Sequence, residues 1–180
     1  MKYLCGFLNI LWRIWFLLLA SIYIIPIGLF IVLPLSFSNS TYPIAYRFIQ
    51  FWGTFMFYGM GFRDDYSSKE ELDPNQTYIF IANHTSIVDV LLMLHILKKH
   101  PIVFVGKAEL SRIPIFGLIY KRICIPVDRS NIKSRANVYP EAKERLANGL
   151  SIFIFPEGGV PDDMSIDLDN FKDGAFSIAI

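Results

Sequence analysis

His84 and Asp89 stand five positions apart in "ANHTSIVDVL", residues 82–91. The apolar run "YIFIA" precedes the polar cluster and "LLMLHIL" follows it. A carboxylate on one imidazole nitrogen fixes the tautomer and makes the other nitrogen a better base. The two residues can therefore act as the base and orienter of a triad whose nucleophile is a hydroxyl carried by the substrate. A structural reading competes with this one. "SIVD" resembles a capping box, with Ser86 as cap and Asp89 three residues on. His84 could then be a strand-end histidine bonded to a carbonyl. A His and an Asp five apart arise often by chance, so the pair taken alone favours the structural reading.

A second strand end shifts the balance. In "IFIFPEGGVP", residues 152–161, an apolar strand closes on Glu157 and two glycines. Gly158 and Gly159 allow close backbone approach or positive φ. Free amides at such a turn bind anions. The alternative is a plain Pro-Gly turn with a solvated Glu157. Between the two strand ends lie Lys107, Arg112, Lys121, Arg122, Arg129, Lys133 and Arg135, opposed only by Glu109 and Asp128. Arginine grips phosphate as a bidentate fork and lysine as a point charge. Lys107 closes "PIVFVGK" and Arg129 closes "CIPVDR", so these two read as ligand-binding. Lys121, Arg122, Lys133 and Arg135 read as a solvated basic face or a contact with anionic lipid head groups.

These side chains need a scaffold that brings strand ends together. After a polar linker, "RDDYSSKEELDPNQT", with a turn at "DPN", the pattern predicts strands at "YIFIAN", "PIVFVGK", "CIPVDR" and "LSIFIFP". They alternate with helices at "TSIVDVLLMLHILKK", "IFGLIYKRI" and "RANVYPEAKERLANG", the last starting at Pro140 and stopping at Gly149. Continuous apolar strands alternating with helices predict an α/β sheet with parallel pairings. Ligands bind at the carboxyl ends of the strands in such sheets, which is where His84 and Glu157 fall.

The first 62 residues differ in kind, since they hold only Lys2, Arg13 and Arg47 as charged side chains. Ile14 to Leu35 carries no charge over 22 positions, long enough to cross a bilayer core, although Pro26 and Pro34 each kink or end a helix. Tyr42 to Phe62 is apolar and aromatic. Together they read as a helical hairpin in or on a membrane, spanning it or entering one leaflet. Hydrophobic residues make up 53% of the chain and charged ones 18%, drier than an ordinary soluble domain. A net charge of +1 gives no sign of a nucleic-acid partner. Cys5 and Cys124 form no metal-spaced cluster and read as reduced apolar fillers. The triplets at Asn39, Asn75 and Asn83 match a glycosylation pattern too common to carry weight.

"NHTSIVD", "VGKAEL", "IPVDR" and "FPEGG", in this order, resemble the glycerolipid acyltransferases, above all the bacterial 1-acyl-sn-glycerol-3-phosphate acyltransferase family. The resemblance runs from about Thr77 to the last residue. It implies an α/β fold, a mixed sheet flanked by helices and preceded by the hydrophobic hairpin. The implied domains are a membrane-associated segment at 1–62 and a catalytic domain at 63–180. The family's last block, an apolar strand with paired prolines, is not reached, so a fragment incomplete at the C-terminus is expected. The implied reaction moves a fatty acyl group from acyl-CoA or acyl-carrier protein to the free hydroxyl of a lysophosphatidate, giving phosphatidate. The thioester is a co-substrate, and neither metal nor other cofactor is implied.

By the same resemblance His84 and Asp89 are catalytic. Arg129 and Lys107 bind substrate, as do Glu157 and Gly158 of the F-P-E-G block (Phe155 to Gly158), Gly159 after it, and Lys172 of the F-K-x-G-A stretch. The implied setting is the cytoplasmic face of the inner membrane. One departure stands out. Many members follow the Glu-Gly with Thr or Ser and then Arg, whereas here Gly159 and Val160 follow. That leaves another lysolipid or amino-acyl lipid open as acceptor, and an inactive module that binds anionic lipid open as a different class.

Overall fold

The structure, a computed structural model, describes residues 2–160 and 168–179. Helix α1 (Lys2–Tyr23) continues through a π-helical stretch, Ile24–Val32, and a last turn, Leu33–Leu35. Pro26 and Pro34 therefore bend the backbone spacing without ending the helix. Pro26 lacks the amide of an α-helical bond, and the wider turn takes it up. A short loop leads into α2 (Tyr42–Gly59), with Pro43 in its first turn, where a missing N–H is harmless. α2 runs back along α1: Trp15 Nε1 donates to Gly59 O at 2.9 Å, and the Tyr23 hydroxyl to Phe48 O at 2.8 Å.

The remaining elements follow as β1 (Ile79–Ile81), α3 (Val88–Ile96), β2 (Ile102–Lys107), a 3-10 turn (Ala108–Arg112), α4 (Phe116–Ile123), β3 (Cys124–Val127), α5 (Ile132–Ala147), β4 (Ser151–Ile154) and α6 (Gly174–Ala179). The sheet order is β1-β4-β2-β3, and every pairing among the described residues is parallel. β4 enters last in sequence yet sits inside the sheet, and all four of its residues are buried. A strand covered on both faces and both edges needs a continuous apolar run, which "SIFI" supplies.

The starts of two helices bear on the sequence pattern. α3 is regular from Val88, and the bonds of the capping box stand at its start: Ser86 Oγ accepts from Val88 N at 3.3 Å and Asp89 accepts from Ser86 N at 2.9 Å. α5 begins well before Pro140. Asn131 caps it by accepting from Lys133 N and Ser134 N, and Pro140 lies inside. The carbonyl left unpaired by Pro140 belongs to Ala136, and both residues are exposed, so water can serve it. Gly149 ends this helix at φ +79, with Leu150 N bonded back to Arg145 O.

One hydrophobic core crosses position 62. Val32, Tyr42, Ala45, Tyr46 and Ile49 pack in the same buried cluster as Ile102, Val103, Ile152 and Phe153. The Tyr42 hydroxyl reaches Ile102 O and Ile123 O, both at 3.3 Å, and the Tyr46 hydroxyl reaches Leu97 O at 3.1 Å. α2 thus starts at the amino edge of the sheet. It ends near the start of α3, where Met56 and Met60 cluster with Leu91 and Val88. The two helices approach closely at Gly53, where a Cβ would lie 2.6 Å from Leu94 Cβ. Gly53→Val is expected to cost about 2 kcal/mol through overpacking. A lower thermal midpoint in detergent would show it, and an unchanged midpoint would contradict this account of the contact.

Candidate active site

Parallel order brings four strand ends to one edge, and a candidate residue follows or ends each of them. From β1 outward these are His84, then Glu157 with its glycines, then Lys107, then Arg129. Ile81 pairs with Ile154, so the segments carrying His84 and Glu157 leave the sheet side by side. Lys107 pairs with Val127, two residues before Arg129.

His84 Nδ1 lies 3.1 Å from Asp89 Oδ2. The same oxygen accepts from Thr85 N at 2.8 Å and Ser86 N at 2.9 Å. Burial alone would raise the Asp89 pKa, but the bonds from His84, Ser86 and Thr85 outweigh it and hold the carboxyl below its ordinary range. A carboxylate depressed in this way adds stability above its unfolded pKa of about 3.9, and that stability is lost as pH falls through the folded value. Asp89 is therefore ionised throughout the neutral range. With Nδ1 committed to Asp89, Nε2 is the nitrogen left for a substrate proton. Phe155 stacks on the imidazole, ring centroids 3.9 Å apart and planes 15° off parallel, and fixes its tilt.

Glu157 is only 3% exposed. One oxygen accepts from His84 N at 3.0 Å and the other from Asp169 N at 3.2 Å. The solvated Glu157 of the plain-turn reading is not found. Gly158 adopts φ +87, a backbone state that disfavours any Cβ, and a Cβ there would lie 2.6 Å from Lys172 Nζ. A Cβ at Gly159 would lie 3.2 Å from an Arg129 guanidinium nitrogen and 4.0 Å from Lys107 Cε. Lys172 N also bonds to Pro156 O at 3.0 Å. Three cations thus converge on a two-glycine turn beside the His–Asp pair, as an anion cradle requires. Arg129 is half-buried. Burial lowers its pKa while Glu109 and Tyr120 oppose the shift, and a guanidinium keeps its charge regardless.

The structure brings together all eight residues singled out from sequence. Three contributors were not among them. Phe155 orients the imidazole, and its alternation with Phe153 was the available signal. Asp169 holds the second oxygen of Glu157, which no local pattern announces. Arg135, read as a solvated cation, donates through Nη1 to Arg129 O at 2.8 Å and braces that turn. Arg122 lies over the Phe37 ring at 4.0 Å, away from the site.

A family model described as Acyltransferase matches residues 64–180. A probable 1-acyl-sn-glycerol-3-phosphate acyltransferase of Mycoplasma genitalium is 30% identical over 114 residues, 61% of this chain and 42% of that protein. A lyso-ornithine lipid O-acyltransferase of Rhizobium meliloti is 30% identical over 112 residues, 61% and 37% respectively. The chain spans about two fifths of the length of these curated relatives. The crystal structure of the 1-acyl-sn-glycerophosphate acyltransferase of Thermotoga maritima superposes with a TM-score of 0.72 at 25% identity, covering 97% of this chain and 70% of that one. The match over residues 64–180, with the His–Asp pair and the glycine turn inside it, makes this chain a member of the acyltransferase family.

Proposed function

We propose that the protein transfers a fatty acyl group from a thioester, acyl-CoA or acyl-carrier protein, to the free hydroxyl of 1-acyl-sn-glycerol-3-phosphate, forming phosphatidate. The observation that carries this reading is one sheet edge with an oriented imidazole at one end and a three-cation glycine cradle beside it. A base next to a phosphate site suits an acceptor whose hydroxyl and phosphate lie a few atoms apart.

In this mechanism His84 Nε2 takes the acceptor's hydroxyl proton as the oxygen attacks the thioester carbonyl. Asp89 holds Nδ1–H and stabilises the imidazolium. The carbon–oxygen bond forms, the carbon–sulfur bond breaks, and the thiolate takes its proton from the imidazolium. Thiols are far more acidic than alcohols, so the sulfur leaves readily. Arg129, Lys107, Lys172 and the Gly158–Gly159 amides hold the phosphate. Placing both reactants supplies much of the acceleration.

The substrate and product are lipids, and the hairpin suits that setting. Tyr3–Leu35 is one helix long and apolar enough to cross a membrane. Every residue from Tyr3 to Trp15 is exposed; Trp12 meets the Phe62 ring and Trp15 bonds Gly59 O, and the stretch before them projects past the end of α2. Tyr3 to Ile14 would extend about 18 Å, comparable with half a hydrocarbon core. α2 ends on the side of the sheet where the strands end, so the free length of α1 projects on the same side as the site. A cytoplasmic facing follows from the thioester donors, which are made and kept in that compartment.

One observation favours a second acceptor. Val160 stands where the family pattern that these motifs resemble has an arginine, and one relative is named as a lyso-ornithine lipid O-acyltransferase. Competition between lysophosphatidate and lyso-ornithine lipid, with the natural full-length protein in membranes, separates the two.

His84→Ala is expected to cut transfer by about 10³-fold, within the span of a lost general base, while membrane attachment stays. Near-normal turnover of labelled acyl-CoA and lysophosphatidate into phosphatidate would sink the mechanism. Lipid binding without turnover by the wild type would point to an inactive module. Arg129→Ala should raise KM for the acceptor roughly tenfold or more, as befits a bond to a charged group, with a smaller effect on the thioester's KM. Gly158→Ala should do the same while lowering the thermal midpoint, since its φ and Lys172 both oppose a side chain. An unchanged acceptor KM in both variants would remove the cradle from the site.

A further inference from the structure

Tyr120 on α4 is 5% exposed, and its hydroxyl has no hydrogen-bond partner among the described residues. A buried hydroxyl without a partner is costly, so its place in the fold calls for an explanation. The surroundings supply one. The hydroxyl sits against Gly106, where any Cβ would overlap it. Gly106 immediately precedes Lys107, the β2 residue of the cradle. It follows Phe104 on the same face of the strand. Phe104 stacks on Phe155 at 6.5 Å, and Phe155 stacks on His84. The hydroxyl therefore lies on the imidazole's face of the sheet, at the carboxyl ends of the strands. Burial pushes its ionisation far above the ordinary tyrosine range, Cys124 and Glu109 add to the rise, and Arg129 pulls the other way. It is a neutral donor beside a fixed cation, and both favour an anionic oxygen as the missing partner.

We propose that the Tyr120 hydroxyl donates a hydrogen bond to a substrate phosphate group gathered by Arg129 and Lys107. The proposal rests on the reading of this edge as an acyltransferase site. A phosphate can come from the acceptor or from the nucleotide end of acyl-CoA, and the acceptor is favoured because its phosphate must lie close to the attacking hydroxyl. The hydroxyl is buried in the structure and would meet a phosphate held by Arg129 beside Gly159.

The test is Tyr120→Phe, which keeps the ring and removes only the oxygen. Steady-state kinetics in membranes would vary lysophosphatidate at saturating acyl-CoA, then the reverse. KM for lysophosphatidate is expected to rise about tenfold, more than any change in kcat. A rise confined to acyl-CoA would keep the phosphate contact and assign it to the donor. Unchanged KM values, or a fall in kcat alone, would overturn the proposal. Thermal midpoints supply a second readout. Without ligand the variant should melt at the wild-type temperature or above, since an unpaired buried hydroxyl has gone, while the upward shift caused by lysophosphatidate should shrink. A merely structural tyrosine would lower the ligand-free midpoint and leave that shift intact. If the wild type makes no phosphatidate, the acyltransferase reading fails on its own. The midpoint shift caused by glycerol 3-phosphate, compared between wild type and Y120F, then decides the role of the hydroxyl.

Discussion

A glutamate side chain with almost no solvent contact must have its oxygens satisfied from within, because a buried polar group without partners costs several kcal/mol at the upper end. Glu157 meets this demand with two backbone amides from distant parts of the chain, those of His84 and Asp169. The consequence reaches beyond the turn that bears it. β1 and β4 are neighbours in the sheet, but pairing fixes them only as far as Ile81 and Ile154. Past that point His84 would hang on a free loop. Glu157 pins the His84 backbone to the end of β4, so that the imidazole can meet both Asp89 and the Phe155 ring. The other carboxylate oxygen draws the segment around Asp169 back over the same turn, and three residues on this puts Lys172 against Gly158. One buried acid thus sets both the His84 imidazole and the segment that brings Lys172 to the glycine turn.

The sheet supplies the scale. Neighbouring strands lie about 4.8 Å apart, so an edge of four strands is roughly 15 Å wide. His84 sits over the first strand and Lys107 and Arg129 over the third and fourth, with the glycine turn and Lys172 between. Arg129 and Lys107 reach back toward Gly159 rather than outward, which shortens the gap from imidazole to anion. A side chain on either glycine would fill the space in which the cations converge. The two glycines therefore do different things from Glu157: the acid organises backbone, while the glycines keep volume open. Asp89 commits one oxygen to His84 and to the Thr85 and Ser86 amides.

Much of this could be read from the chain because the chemistry stands at strand ends. Apolar runs that stop abruptly at "NHT", "GK", "DR" and "PEGG" declare their own carboxyl edges, and parallel pairing then brings those edges together. What could not be read is nonlocal. No pattern in "SIFIF" says that β4 lies between β1 and β2, yet that order alone sets Glu157 beside His84. At the start of α3 a capping box and a carboxylate that holds an imidazole use the same residues, so the pattern alone does not choose between the two readings. Asp89 takes the amides of Thr85 and Ser86 as a cap would, while also holding the imidazole. Pro140 misled: an interior proline is tolerated where the freed carbonyl faces water, and exposure is invisible in a single sequence. Arg135 looked like every other surface cation until its bond to the Arg129 carbonyl was seen.

The apolar hairpin looks separable by composition and is not separable by packing. Tyr42 and Tyr46 send hydroxyls to carbonyls around the amino edge of the sheet, and Gly53 admits α3 at close range. At the far end of α3, His95 meets Thr54 and Tyr58 through its two ring nitrogens, and Tyr58 bonds Asp64 at 3.0 Å. α3 is therefore held by α2 near its last turn and by His84 at its first. The helix that carries Asp89 cannot turn without disturbing the helix that lies along α1. If α1 enters a bilayer, its depth and tilt are passed through α2 to the orientation of the strand edge. An enzyme whose acceptor lies in the membrane needs that edge at a fixed height, and a shared core holds it there more firmly than a flexible linker would.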